Sequence, residues 1–446
     1  MAVHHTHASH LRLTPSPPTT FTTVIYHPPS LSLALQHPDT SFSLYTNISP
    51  LTPPPTTVPT VVTTVSPPSS AAVFLTLKTT ATSSSTVFIV TSPFNNSILL
   101  RFYMLVNNKF VRVKVRVKQR DMCYDERKVG VLFKVNHGVN VNVVAGASNV
   151  FVMYSVTSKK VWVFGVKLCE GGEEVKVVRT AVIDCDLPVF SVGVSVGELV
   201  LGEENGVRVF NLRSLVKGRV ENGGKMEGKK VNGSAVLYGK YGKVIGGRRL
   251  VSLVNGNVEE KIAKLKPVKT RQNSKDGGVR FVAFKCNELE DHNSSKVPST
   301  SIKAISVHFL AHNNLLILDS FGDLYLLSLS NSVSGSDSTC EMKKLTLSMK
   351  VQNLAVLPDD SSRPQTVWLS DGQYTIHAMI ISDADSPTSE NGTKDIKANI
   401  QNADRHAHTF LYHDSKHQSC GSCVVGLSAI MMSLIRNMKC EHGVVN

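Results

Sequence analysis

The chain has 446 residues, with 48 Lys+Arg against 34 Asp+Glu for a formal charge of +14, and 41% of its residues are apolar. That apolar share excludes a wholly disordered polymer, and eight cysteines scattered over this length exclude a disulfide-framed miniprotein. Only 7% of residues are aromatic, so the apolar content falls on Val, Leu and Ile, which pack well in strands.

In chain order, residues 1–20 hold His4, His5, His7, His10 and the Pro15 to Pro18 cluster, and read as a disordered start. Fourteen of the 20 prolines precede residue 101, and those from Pro50 to Pro68 mark Pro-rich loops over 50–70. Apolar bursts interrupt them at Phe21 to Tyr26, Leu31 to Leu35, Ser41 to Tyr45, Ala72 to Leu77, Thr86 to Val90 and Ile98 to Leu105, which predicts strands joined by long loops. The first hundred residues carry just three charges, Arg12, Asp39 and Lys78.

Further along, two short apolar runs around a tight turn recur. The copies are Leu315 to Leu329, Thr366 to Met379, Leu199 to Phe210 with Asn205-Gly206 read as a type I′ hairpin, and Val150 to Val166 with Trp162 in the outgoing strand. Weaker copies turn near Asp39, near Phe94 and at Asn255-Gly256. The turns thus fall near 39, 94, 158, 205, 256, 321 and 371, spaced about 47 to 65 residues against about 40 to 45 for a usual propeller repeat. Pro188 to Val196, Ile302 to Leu310 and Val351 to Leu357 would supply inner strands. The prediction is an all-β, WD40-like β-propeller of seven blades over 21–385, with incomplete closure at the C-terminus as the alternative, a basic loop insertion over 213–275 and a polar tail over 386–446.

The order inner strand, apolar strand, Asp/Gly turn, apolar strand in Lys350 to Met379 and Ile302 to Leu329 resembles WD40-type blades, without their Trp-Asp and Gly-His signatures. Val131 to Val139, Lys160 to Phe164, Ala181 to Asp186 and Leu201 to Phe210 also resemble a plant-specific family of uncharacterised propeller-like proteins, some labelled as related to With-No-Lysine kinases. The likeness spans roughly residues 20 to 385, and the tail from Asn399 departs from it. It implies a propeller fold.

The kinase label fails on the residues. Val282 to Lys285 imitates the strand of a kinase's phosphate-pairing lysine and Gly239 to Val244 part of a Gly-rich loop, but Leu237 stands where the first glycine belongs. No His-Arg-Asp loop exists and Ser320-Phe-Gly322 lacks the metal-binding Asp, so no catalytic residues are assigned. Cys420, Cys423, Cys440, His413, His417 and His442 have zinc-ligand chemistry without a closed four-ligand spacing, and read as reduced residues of a polar tail; neither metal nor cofactor is expected.

Two basic elements remain. Val111 to Lys118 alternates perfectly, setting four valines on one face of a strand and Arg112, Lys114, Arg116 and Lys118 on the other. Arg213 to Lys275 holds 16 basic and four acidic residues, including Arg248 and Arg249, with Tyr238 and Tyr241 its only aromatics. These six cations are the candidate interaction surface, for acidic proteins or phosphates on one reading and as a guarded strand edge with a solvated loop on the other. The expectation is a non-catalytic platform for other proteins, with RNA binding as the alternative. No leader-like start is present and Val424 to Ile435 is too short to span a bilayer, which points to a cytoplasmic or nuclear protein without a membrane partner; a plastid address stays open.

Overall fold

In a computed structural model, the structure describes residues 21–48, 63–78, 84–135, 141–195, 197–217, 267–274, 279–284, 301–311, 313–329, 340–356, 365–372 and 376–381. Among the described residues six sheets succeed one another. The first is a meander of Thr23–His27, Ser32–Gln36, Phe42–Tyr45 and Thr63–Val65. The second is built on Ala71–Lys78, Ser84–Phe94 and Ser97–Val106, with Lys109–Arg112, Gly130–Lys134 and Met122–Asp125 added outside. The third runs Val141–Ala147, Val150–Ser155, Lys160–Leu168 and Glu174–Asp184, extended by Val268–Arg271 and Lys114–Arg116.

The fourth sheet comprises Ser191–Val194, Glu198–Glu203, Gly206–Asn211 and Val279–Ala283. The fifth has Ala304–Ala311, Asn314–Asp319, Leu324–Leu329 and Cys340–Lys344, and the sixth Asn353–Val356, Gln365–Ser370 and Ile376–Ile381. Apart from the parallel additions to the third sheet, neighbours pair antiparallel.

What makes the second to fifth sheets propeller-like is the meeting of their first strands. Ala71–Lys78 packs on Val141–Ala147, that strand on Ser191–Val194, and that one on Ala304–Ala311, like staves around an axis. The approach is close enough to need glycine: a Cβ on Gly146 would lie 2.8 Å from the side chains of both Leu75 and Val73. Apolar faces fill the wedges between successive sheets. Between the second and third, Phe151 stacks on Phe164 at 4.8 Å while Phe133 meets Trp162 edge-on at 5.5 Å. Each such fully buried side chain contributes about 1.5–3 kcal/mol.

Six of the seven predicted turns lie at hairpins of the six sheets, and Asn255-Gly256 lies outside the described residues. The predicted inner strands near 188–196, 302–310 and 351–357 are the first strands of the fourth, fifth and sixth sheets.

The type I′ reading of Asn205-Gly206 is corrected. Gly206 pairs with Glu203, so Glu204 and Asn205 form the turn, and of these Asn205 alone is left-handed, at φ 59°. Gly206 answers a different need, because a Cβ there would strike the Val282 carbonyl and the Ala283 Cα of the next strand. Asn205 also receives Ile302 N on its Oδ1 at 3.1 Å and donates its own N–H to Ile302 O at 2.6 Å, tying the fourth sheet to the fifth.

Candidate interaction surface on the rim of the third sheet

Glu174–Asp184 is the outermost of the four antiparallel strands of the third sheet, and its free edge would offer a row of unpaired backbone groups. The chain closes that edge with two distant segments. Lys114–Arg116 pairs in parallel with Glu174–Lys176, and Val268–Arg271 pairs in parallel with Ala181–Asp184. Between them the Gln119 side chain acts as a piece of strand, its Nε2 donating to Arg179 O at 2.8 Å and its Oε1 accepting Arg179 N at 2.7 Å. Arg179 pairs with Asp121 and lies over the Phe133 ring at 5.8 Å, which anchors the junction.

The predicted continuous strand over 111–118 is therefore split. Lys109–Arg112 belongs to the second sheet and Lys114–Arg116 to the third. Alternation survives at Val113 and Val115, which are buried, but Val111 is 43% exposed, because the segment changes sheets and the two halves need not share a face.

The four predicted cations do not form a bare row. Arg112 donates from Nε to Tyr103 Oη at 3.2 Å and sits over that ring. Glu174 receives Arg116 at 2.6 Å and stands 4.0 Å from Lys114, so one carboxylate offsets two cations. Lys118 is exposed beyond the end of the paired segment. Arg248 and Arg249 lie outside the described residues, as do the zinc-like cluster of the tail, Lys285 and Gly239 to Val244.

Two grooves flank the closed edge. One, of about 440 Å³, is walled by Lys114, Arg116, Met122, Cys123, Tyr124 and Glu174. Burial, reinforced by Glu126, Glu174 and Asp125, raises the Tyr124 phenol above its ordinary pKa. The other, of about 410 Å³, is lined by Asp184, Lys269, Thr270, Arg271, Asn273 and Ser274. There Lys160 lies 3.4 Å from Asp184, while Lys269 and Arg271 are exposed and pair with no carboxylate among the described residues.

Lys269 and Arg271 are two apart on one strand and share a side, a pair that sequence reasoning merges into a solvated loop. Nothing local distinguishes them, because the strand forms by pairing with residues 87 positions earlier. Buried Gln272 fixes the exit of this segment, its Oε1 accepting Leu187 N at 2.8 Å and its backbone N–H reaching Asp184 O.

Ser320 to Gly322 forms a hairpin turn whose N–H groups are held by buried Asp319, with Phe321 N and Asp323 N donating to its Oδ1 at 2.8 and 2.9 Å. Val282 and Ala283 lie in the last strand of the fourth sheet. Among the described residues no three His, Cys, Asp or Glu side chains are grouped as metal ligands, and no helix is long and apolar enough to cross a membrane.

No protein-family model and no curated protein matches the sequence. In the course of its chain the protein is similar to Hsv2p of Kluyveromyces lactis, with a TM-score of 0.35 and 10% identity over 74% of each chain, and to Hsv2 of Kluyveromyces marxianus, with 0.36 and 9% over 75% of each. The fold itself is given by the strand arrangement, an all-β propeller in which the second to fifth sheets meet through their first strands.

Proposed function

We propose that this propeller is a non-catalytic interaction platform and that the rim of its third sheet receives acidic segments of other proteins. The carrying observation is the double closure of the Glu174–Asp184 edge. Two chain excursions take up the backbone groups of Glu174–Lys176 and Ala181–Asp184, so a partner cannot pair with those two stretches directly, and leave a groove with Lys269 and Arg271 uncompensated. Recognition there goes through side chains, and cations at a groove favour anionic partners and speed their encounter. The kinase-like fragments supply neither base nor metal ligand, and phosphoryl transfer is no part of this reading.

RNA is the competing partner, and Arg112, Lys114 and Arg116 speak against it because an aromatic ring and Glu174 already engage them. Affinity purification with mass spectrometry, run with and without ribonuclease, tests the proposal on the parent and on Lys269→Glu/Arg271→Glu. A defined protein set that survives ribonuclease and falls at least tenfold in the double variant is expected. Partners that vanish with ribonuclease would transfer the protein to the nucleic-acid class, and an unchanged set would move the interface away from this rim.

A further inference from the structure

A second cationic centre lies at the seam between the first and second sheets. Arg101, in Ser97–Val106, is 5% exposed. Its Nη2 donates to Ser66 O at 2.9 Å, Pro68 O at 3.2 Å, Ser69 Oγ at 2.8 Å and Ser92 Oγ at 2.9 Å, and its Nη1 to Ser66 Oγ at 3.2 Å. Every acceptor is neutral. Buried Nε has no partner, and no carboxylate pairs with this guanidinium among the described residues. Asp39, the sole acidic residue of the first hundred, is occupied by Ser41, whose N–H and Oγ lie 2.9 and 2.6 Å away.

Arginine keeps its charge under all ordinary conditions, so this site holds a cation without an anion. Burial pulls the guanidinium pKa below its usual value, with Tyr103 opposing that pull and Arg112 adding to it. Two of the hydroxyls on Arg101 belong to serines that precede proline, Ser66-Pro67 and Ser92-Pro93. Ser92 is 2% exposed inside a strand, whereas Ser66 and Pro67 are exposed.

We propose that Ser66 is a phosphorylation site for a proline-directed protein kinase, and that Arg101 is the preformed partner of the phosphate. In the transfer, Ser66 Oγ forms a bond to the γ-phosphorus of ATP and the bond from that phosphorus to the bridging oxygen breaks. The hydroxyl proton leaves through the kinase's base and ADP departs. A phosphoserine brings about −1.5 to −2 charges and three acceptor oxygens, which is what this seam lacks. The same segment already crosses the seam, with Gln36 Nε2 donating to Ser69 O at 2.9 Å and Thr63 Oγ1 to Phe110 O at 2.9 Å. Modification would therefore tighten the junction of two sheets.

The test treats the full-length protein with a proline-directed kinase and Mg·ATP, maps the phosphates by mass spectrometry, and monitors the product by ³¹P NMR titration and thermal unfolding. Expected are phosphate on Ser66 and none on Ser92, a second phosphate pKa about one unit below the usual value of about 6, and an unfolding midpoint about 1–3 °C higher. In Arg101→Gln the phosphate should titrate near 6 and the midpoint should not rise. Where that variant fails to fold, the titration of the parent protein decides alone. An unmodified Ser66 overturns the proposal, whether or not a peptide of residues 63–70 is modified under the same conditions. So does a Ser66 phosphate titrating near 6 in the parent.

Discussion

In the fourth sheet, Arg208 meets Glu203 through two hydrogen bonds of 2.7 and 2.9 Å, with the carboxylate fully buried and the guanidinium 5.0 Å from the Phe281 ring. At the seam of the first and second sheets, Arg101 is as deeply withdrawn but is surrounded by hydroxyls and carbonyls. The first site is a closed charge pair whose members depend on each other. The second spreads its cation over partial charges drawn from several segments. Which solution forms depends on what the neighbouring chain can offer: Glu203 stands across a hairpin from Arg208, while the hundred residues before Arg101 contain one acid.

The comparison breaks most sharply at Glu203. Glu203→Ala leaves a desolvated guanidinium facing no anion, and urea unfolding should show a loss of about 3–5 kcal/mol. Arg101→Met removes a cation whose partners are neutral, so a smaller loss of about 1–3 kcal/mol is expected from the same measurement. Equal losses in the two variants would erase the distinction between the sites.

The smallest effect is acid sensitivity at the same seam. His27 stacks on Phe74 at 5.3 Å, its Nδ1 is 2.8 Å from Ser30 Oγ and its Nε2 3.1 Å from Thr76 Oγ1, and burial lowers its pKa to about 4. The unfolded chain, near the ordinary value of about 6.5, binds the proton more readily between these limits. Stability is therefore full above about pH 6.5 and declines toward pH 4, by about 1–2 kcal/mol once solvent screening is allowed for. His27→Phe should lessen the slope of this part of the stability curve, with His308, whose pKa burial also lowers to about 4, keeping its own share, and a parent curve already flat between pH 6.5 and 4 would contradict the assignment.

Much of the architecture was legible because hairpins are local. The strands before Asp39, Phe94, Ser158 and Phe321 each pair with the very next strand in the chain, so turn chemistry and apolar runs sufficed. Gly206 misled because a Gly after Asn signals a two-residue turn, whereas its cause is a strand 77 residues away at Ala283. The grooves stayed hidden for the same reason: Lys114 and Lys269 come together on one edge only through long-range parallel pairing. Arg101 did leave a trace, a lone charge in the apolar run Ile98 to Leu105, but two of its three serine partners, Ser66 and Ser69, lie more than 30 residues earlier in a stretch that reads as Pro-rich loop.

The late return of Val268–Arg271 also sets a schedule for biosynthesis. Asp184 leaves the ribosome 87 residues before Arg271, its partner in the register. At roughly 5–20 residues per second, that half of the edge waits about 4–17 s for its cover. During that interval a nascent propeller carries an unpaired strand beside a finished hairpin, the kind of template that captures other chains. Ala181–Asp184 is thus the stretch of this rim where a stalled or truncated product would be stickiest.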